Sequence, residues 1–277
     1  MQNNTKSILI TGCSSGIGLC VAQALQKRGY RVFATARQEK DVSQLESMGL
    51  ESLQLDLDHS LSIQAAVIEI LKRTGGTLDA LFNNGAYGQA GAIEDISRDV
   101  LRQQLETNVL GWHELTNLVI PVMLKQGSGR IIQNSSVLGF IALKFRGAYS
   151  ASKYAIEGLS DTLRQELAGT NIYISLIEPG PIETQFRANS FAAYKKNIDK
   201  ENSRFKLEYE ATEKRLGKKG AAVPFTLPPE AVLKRVIHAL ENKKPKPRYY
   251  VTKPTYFFAY LKRFAPITFM DKILSKV

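Results

Sequence analysis

Tyr149 and Lys153 lie four residues apart in Tyr149-Ser150-Ala151-Ser152-Lys153. In a helix they would share one face, a turn apart. A phenol titrates near ~10 and does not readily exchange its proton at neutral pH. A neighbouring ammonium favours the phenolate, so the pair is a candidate general acid/base. The same spacing equally describes a Tyr and a Lys on a solvated helix face. The elements around the pair have to decide between these readings.

A second stretch has the chemistry of phosphate binding. The apolar strand Ser7-Ile8-Leu9-Ile10-Thr11 runs into Gly12-Cys13-Ser14-Ser15-Gly16-Ile17-Gly18, then into a helical pattern from Leu19 to Lys27 and a strand over Tyr30–Thr35. Glycines in such a turn let the backbone approach a pyrophosphate, and the helix start offers free N–H groups and a positive dipole end. Gly12, Ser14, Ser15, Gly16, Ile17 and Gly18 are therefore candidate cofactor contacts, although glycine turns also serve packing. An NAD site usually carries a carboxylate after the second strand. Here Ala36-Arg37 follows it, and a guanidinium suits a 2′-phosphate. NADP(H) is the expected cofactor, with Ser14 adding a hydroxyl; the alternative for Arg37 is a plain surface arginine.

Further on, strands alternate with helical patterns. Leu50–Leu55 reads as a strand ending at Asp56-Leu57-Asp58. Asp56 is placed to accept from an adenine amino group and Leu57 to cover the ring, but either aspartate would also cap the helix expected from Leu61 to Arg73. The strand Leu78–Phe82 opens into Asn83-Asn84-Gly85-Ala86-Tyr87-Gly88, at the carboxyl edge where open α/β sheets bind ligands; the asparagines would also satisfy turn backbone. One long helix is expected over Arg98–Lys125, with Asn108 inside it marking a bend or a polar contact. Gly129–Asn134 is a strand followed by Ser135-Ser136, which places Ser136 to meet Tyr149 at the sheet edge. Asn171–Ile177 ends in the rigid turn Pro179-Gly180-Pro181-Ile182, and Thr184 beyond it is placed to bond a nicotinamide carboxamide. Pro229–Asn242 reads as a helix and Tyr249–Val251 as the last strand. Alternation of this kind means a parallel sheet covered on both faces. The expected fold is α/β: one doubly wound Rossmann domain over 1–277, of about seven parallel strands.

These motifs together resemble the short-chain dehydrogenase/reductase family from Ser7 to about Val251. The glycine turn, Asn83-Asn84, Asn108, Ser136, Tyr149-x-x-x-Lys153 and Pro179-Gly180 all fall in the family's order. The chain looks most like bacterial NADP-dependent aldehyde reductases, then hydroxysteroid and retinol dehydrogenases. The resemblance implies that Tyr149 protonates a carbonyl oxygen and that Lys153 holds ribose hydroxyls and lowers the tyrosine pKa. It implies that Ser136 binds the substrate oxygen and that Asn108 supports a water leading from Lys153 to solvent. It implies NADP(H) as the donor of hydride. Asn83-Asn84-Gly85-Ala86 departs from the usual Asn-Asn-Ala-Gly; because Gly85 takes positive φ cheaply and Ala86 does not, a small loop adjustment is expected.

Substrate specificity falls to the remainder. Leu138, Phe140, Phe145 and Phe186 form a candidate apolar substrate wall, or ordinary core. Residues 187–228, lysine-rich with Phe191, Tyr194, Phe205 and Tyr209, sit where the family places a helical, mobile substrate lid; a solvated insertion is the alternative. The aromatic and basic extension 253–277 reads as a helix packed on the body or a second subunit, or as an interfacial helix on a membrane. The chain is 44% hydrophobic with a net charge of +11. It has no zinc-ligand spacing, basic zipper or RNA-binding aromatic signature, so nucleic acid is not an expected partner and neither is a metal. Two cysteines, Cys13 and Cys20, make no disulfide framework, and no signal-like leader or bilayer-spanning run is visible. A cytoplasmic homodimer or homotetramer acting on a small apolar carbonyl compound is expected. A hydroxysteroid or retinol dehydrogenase working toward oxidation, and a silent NADP-binding sensor or scaffold, are the other readings.

Overall fold

Short apolar runs become buried strands here because both faces of the sheet are covered. The computed structural model describes residues 5–218, 220–221 and 223–276; the expected lid and extension include Lys219, Ala222 and Val277, which lie outside them. The elements follow in the order β1 (Ser7–Ile10), α1 (Gly16–Lys27), β2 (Arg31–Ala36), α2 (Glu39–Ser47), β3 (Glu51–Gln54), α3 (Ser60–Thr74) and β4 (Ala80–Asn83). Then come α4 (Arg98–Leu105), α5 (Gly111–Gln126), β5 (Gly129–Asn134), α6 (Gly147–Glu166) and β6 (Ile172–Glu178). The last part holds α7 (Phe186–Asn197), α8 (Lys206–Gly217), α9 (Glu230–Glu241), β7 (Arg248–Tyr250), α10 (Lys253–Phe264) and α11 (Ile267–Leu274).

The seven strands form one parallel sheet in the order β3-β2-β1-β4-β5-β6-β7. The order reverses between β1 and β4, which pair Ile8 with Ala80 and Ile10 with Phe82. The carboxyl ends of that pair open the crevice in which such sheets bind ligands. One face of the sheet packs under α1 and α9 through Val21, Leu25, Val232 and Val236. The other packs under α3, α5 and α6 through Ile63, Trp112, Leu115 and Ile156.

The long helix expected over Arg98–Lys125 is not continuous. Between α4 and α5 the backbone forms a π-helical turn over Glu106–Leu110, and Asn108 sits in it, fully buried. Such turns insert extra backbone into a helix and gather at functional sites. The cause is visible in the contacts: the Asn108 Nδ2 donates to Tyr87 O at 2.9 Å and to Ser152 Oγ at 3.1 Å, and its Oδ1 accepts from Tyr87 N at 3.2 Å.

Candidate active site

Tyr149 and Lys153 occupy the first turns of α6, both buried. Ser136 caps a 3₁₀ turn over Val137–Gly139, its Oγ accepting from Leu138 N at 3.1 Å. All three line one cavity of about 1620 Å³ that runs along the carboxyl edge of the sheet. The solvated-face reading of the pair is thereby excluded.

A polar path ties this corner to the glycine turn. Lys153 Nζ donates to Asn134 O at 2.7 Å. Asn134 Nδ2 donates to Asn84 Oδ1 at 2.9 Å, and Asn84 Nδ2 donates to Thr11 O at 2.9 Å. Thr11 Oγ1 accepts from the backbone N–H groups of Asn84 and Gly85, each at 2.9 Å. Asn134 and Thr11 escaped sequence reasoning; both end strands beside the switch point, which is the only signal that could have found them.

The electrostatics differ from the expectation that Lys153 lowers the tyrosine pKa. Burial holds the Tyr149 phenol above its ordinary range, and the Ser136 hydroxyl only partly offsets this. Burial also pushes the Lys153 ammonium down to about 7, against the pull of the Glu157 carboxylate. Desolvation is the largest cause at both groups; Lys153 Nζ lies 5.6 Å from the Tyr149 ring centre and 4.2 Å from that of Trp112. Behind Lys153, Ser135 Oγ donates to Glu157 Oε1 at 2.5 Å, and Arg248 donates to Glu157 Oε2 at 2.9 Å. Arg248 Nε also lies 3.0 Å from Glu178 Oε1, out of hydrogen-bond alignment; burial and Glu157 raise the Glu178 carboxyl to about 9.

The glycine turn fits a dinucleotide. Ser14, Ser15, Gly16 and Ile17 line the cavity, α1 has no acidic residue in its first turn, and its cap Ser15 makes no side-chain bond to the free N–H groups. Those N–H groups remain open to a phosphate. Gly16 has φ +59, and a Cβ there would meet the Thr184 side chain at 3.0 Å. Pro179, Gly180, Ile182 and Thr184 complete the same wall.

Several predicted residues do not line this cavity. Gly18 does not line the cavity; its missing Cβ makes room for Gly12 O and Asn84 Nδ2. Asn83 is fully buried and donates to Thr116 Oγ1 at 3.0 Å. Asp56 Oδ1 accepts from Asp58 N at 3.1 Å, a local turn bond, and Leu57 packs with Leu55 and Ile63. Arg37 is exposed outside the cavity just beyond β2. Asn108 reaches Tyr87 and Ser152 but not Lys153 with its side chain. The Gly85-Ala86 exchange requires no positive φ at either residue. Gly85 instead supplies closeness, since a Cβ there would lie 3.2 Å from Gly12 N and from Leu57 Cδ1.

On the substrate side, Leu138 and Phe186 line the cavity, with the Phe186 ring 5.2 Å from that of Tyr149. Phe140 and Phe145 do not. Phe140 packs on Tyr250, ring centres 6.1 Å apart. Phe145 turns under the expected lid against Phe205 and Tyr209, each 5.4 Å away. Its φ of +60 directs the ring there. Phe258 and Met270 of the C-terminal helices join Leu138, Ile141 and Tyr149 in one apolar cluster, so the extension packs on the body along its inner side.

A doubly wound parallel sheet with a buried Tyr-Lys-Ser corner facing a glycine-opened helix defines a nicotinamide-dependent oxidoreductase of Rossmann type. The short chain dehydrogenase family model matches residues 6–195, and the chain belongs to that family. It is 44% identical over 270 residues to the uncharacterized oxidoreductase YbbO of Escherichia coli (strain K12), covering 98% of this chain and 94% of that one. It is 34% identical to human 17-beta-hydroxysteroid dehydrogenase type 1, over 89% of this chain and 77% of that protein. Its fold matches the crystal structure of an actinorhodin polyketide ketoreductase with NADPH at a TM-score of 0.74 and 27% identity, covering 91% and 97% of the two chains.

Proposed function

We propose that the chain is an NADPH-dependent reductase of apolar aldehydes or ketones, with Tyr149 as the proton donor. The observation carrying this reading is that Tyr149, Ser136 and Lys153 converge on one cavity, where Leu138, Ile141 and Phe186 set apolar side chains beside Tyr149. The nicotinamide would supply hydride, and the chain supplies orientation, a proton and exclusion of water. Ser136 and the Tyr149 hydroxyl hold the carbonyl oxygen and stabilise charge developing on it. A phenol kept protonated by burial is a suitable acid for reduction. Lys153, poised near neutrality, binds ribose hydroxyls and resupplies the proton. Residues 187–228 act as the substrate lid.

Preference for the phosphorylated cofactor is supported by Arg37 at the end of β2, where no carboxylate stands, and by the NADPH carried by the similar ketoreductase. The likeness to the hydroxysteroid dehydrogenase favours one further reading, oxidation of a bulky apolar alcohol in the same site. The two unpaired cysteines fit a cytoplasmic setting, and the enzyme is taken as a homodimer or homotetramer.

The test follows NADPH absorbance over a panel of aldehydes, ketones, retinoids and steroids, with Tyr149→Phe as control. Removing the acid is expected to reduce kcat by about 10²–10⁴-fold while leaving NADPH binding within about twofold. A fully active Tyr149→Phe protein would defeat the assignment.

A further inference from the structure

Helix α10 is apolar on both of its long faces. Its inner face sends Phe258 and Ala259 into the body, and Lys262 Nζ is tied to Phe140 O at 2.5 Å. At 3.6 residues per turn, Lys253, Tyr256, Phe257, Tyr260 and Phe264 fall on the opposite face. The four rings there are 38%, 54%, 57% and 83% exposed. Beyond the bend, Ile267 and Phe269 of α11 are 80% and 50% exposed. Across the cavity mouth, Phe225 at the lid's edge is 57% exposed, and Lys253 Nζ stands 6.0 Å from its ring centre. Phe225, Lys253 and Phe257 all line the cavity. The exposed aromatics are therefore continuous with the entrance to the site.

Charge selects the occupant. Apart from the inward-tied Lys262, residues 253–276 carry Lys253, Arg263, Lys272 and Lys276 against Asp271 alone. A second copy docked around a two-fold axis would set these cations against identical ones. An anionic bilayer surface satisfies the cations, and it accepts Tyr and Phe rings at headgroup depth. Among the described residues no helix is long and apolar enough to cross a membrane, so the contact is peripheral. We propose that the outer face of α10 and the start of α11 dock the protein on an anionic phospholipid surface, with the cavity mouth toward the lipid. Substrate entry from the bilayer rests on the reductase reading above; docking does not.

The experiment is flotation of the full chain with vesicles of phosphatidylglycerol and phosphatidylcholine, and with phosphatidylcholine alone. Wild type is expected to float with the anionic vesicles only, and less at high salt. Tyr260→Ser/Phe264→Ser is expected to weaken binding about tenfold or more, and Arg263→Glu also to weaken it. Both variants should keep the wild-type melting temperature and turnover of a small water-soluble aldehyde. Three results overturn the proposal: no flotation with anionic vesicles, equal flotation of wild type and the double variant, or a dimer dissolved by the double variant without flotation. Loss of wild-type turnover on every carbonyl compound would defeat the reductase reading and leave the flotation result standing.

Discussion

Burial strips water from Lys153 and pushes its ammonium down to about 7, while the Glu157 carboxylate one turn along α6 pulls it back up. Reduction consumes a proton, so its rate should fall as pH rises through about 7 and the Lys153 proton is lost. Glu157→Gln removes the upward pull and should move the midpoint of kcat/KM against pH downward; an unmoved midpoint would detach Glu157 from the proton supply. The proposed preference for NADPH also rests on one side chain, Arg37. Arg37→Glu should cost NADPH about 1.5–3 kcal/mol of affinity, roughly ten- to a hundredfold, and favour NADH. Titrating both cofactors against the variant tests this; equal wild-type affinities would already remove the role given to Arg37. At this scale the spacing of Tyr149 and Lys153 was readable from the chain, but its electrostatics were not. The sign of the shift depends on how much water each group loses, which residue spacing does not contain.

The strands were legible because both faces of a parallel sheet demand unbroken apolar runs, as in Ile8-Leu9-Ile10 and Ile131-Ile132. The break between α4 and α5 was not, because a π-helical turn keeps the helical pattern of apolar residues almost intact. Only Asn108, a poor helix former within it, signalled a disturbance. Phe145 shows the same limit for loops. Read from sequence as substrate wall or ordinary core, it packs against Phe205 and Tyr209 of the proposed lid, and three polar contacts hold the same segment: Asn197 Nδ2 to Gln89 Oε1 at 2.8 Å, Ser203 Oγ to Asp95 Oδ2 at 2.6 Å and Tyr209 Oη to the same oxygen at 2.5 Å. Phe145→Ala should destabilise the lid by about 2–3 kcal/mol and raise KM for apolar substrates more than it lowers kcat. Limited proteolysis within 187–228 and steady-state kinetics would register both effects; an unchanged KM and cleavage pattern would mean the lid holds without this anchor.

Over the whole molecule, the C-terminal helices behave as part of the cavity wall, since Phe258 and Met270 touch the cluster holding Tyr149. Truncation after Val251 should therefore lower the melting temperature by several degrees and raise KM for bulky substrates about tenfold or more, because it uncovers that cluster. Calorimetry and kinetics on the shortened chain check this. An unaltered protein would show that the extension adds nothing to the body. The inner packing was half readable, since aromatic residues signal burial somewhere; which side of α10 they bury depends on Leu138 and Ile141, far away in sequence.

The π-helical turn at Glu106–Leu110 sets the register between two halves of the site. Upstream, Gln104 grips the loop of Tyr87 and Gln89; downstream, Trp112 donates its indole N–H to Gly85 O at 2.8 Å and underlies Lys153. The turn carries one residue more than an α-helical turn, and that surplus lets Gln104 and Trp112 each keep the face its contacts need. A residue inserted into the α-helical stretch on either side has no such turn to absorb it and would rotate everything beyond it by about 100°, swinging Trp112 off the lysine while Gln104 stayed in place. A single-codon insertion there should thus be far more damaging than a substitution at the same position.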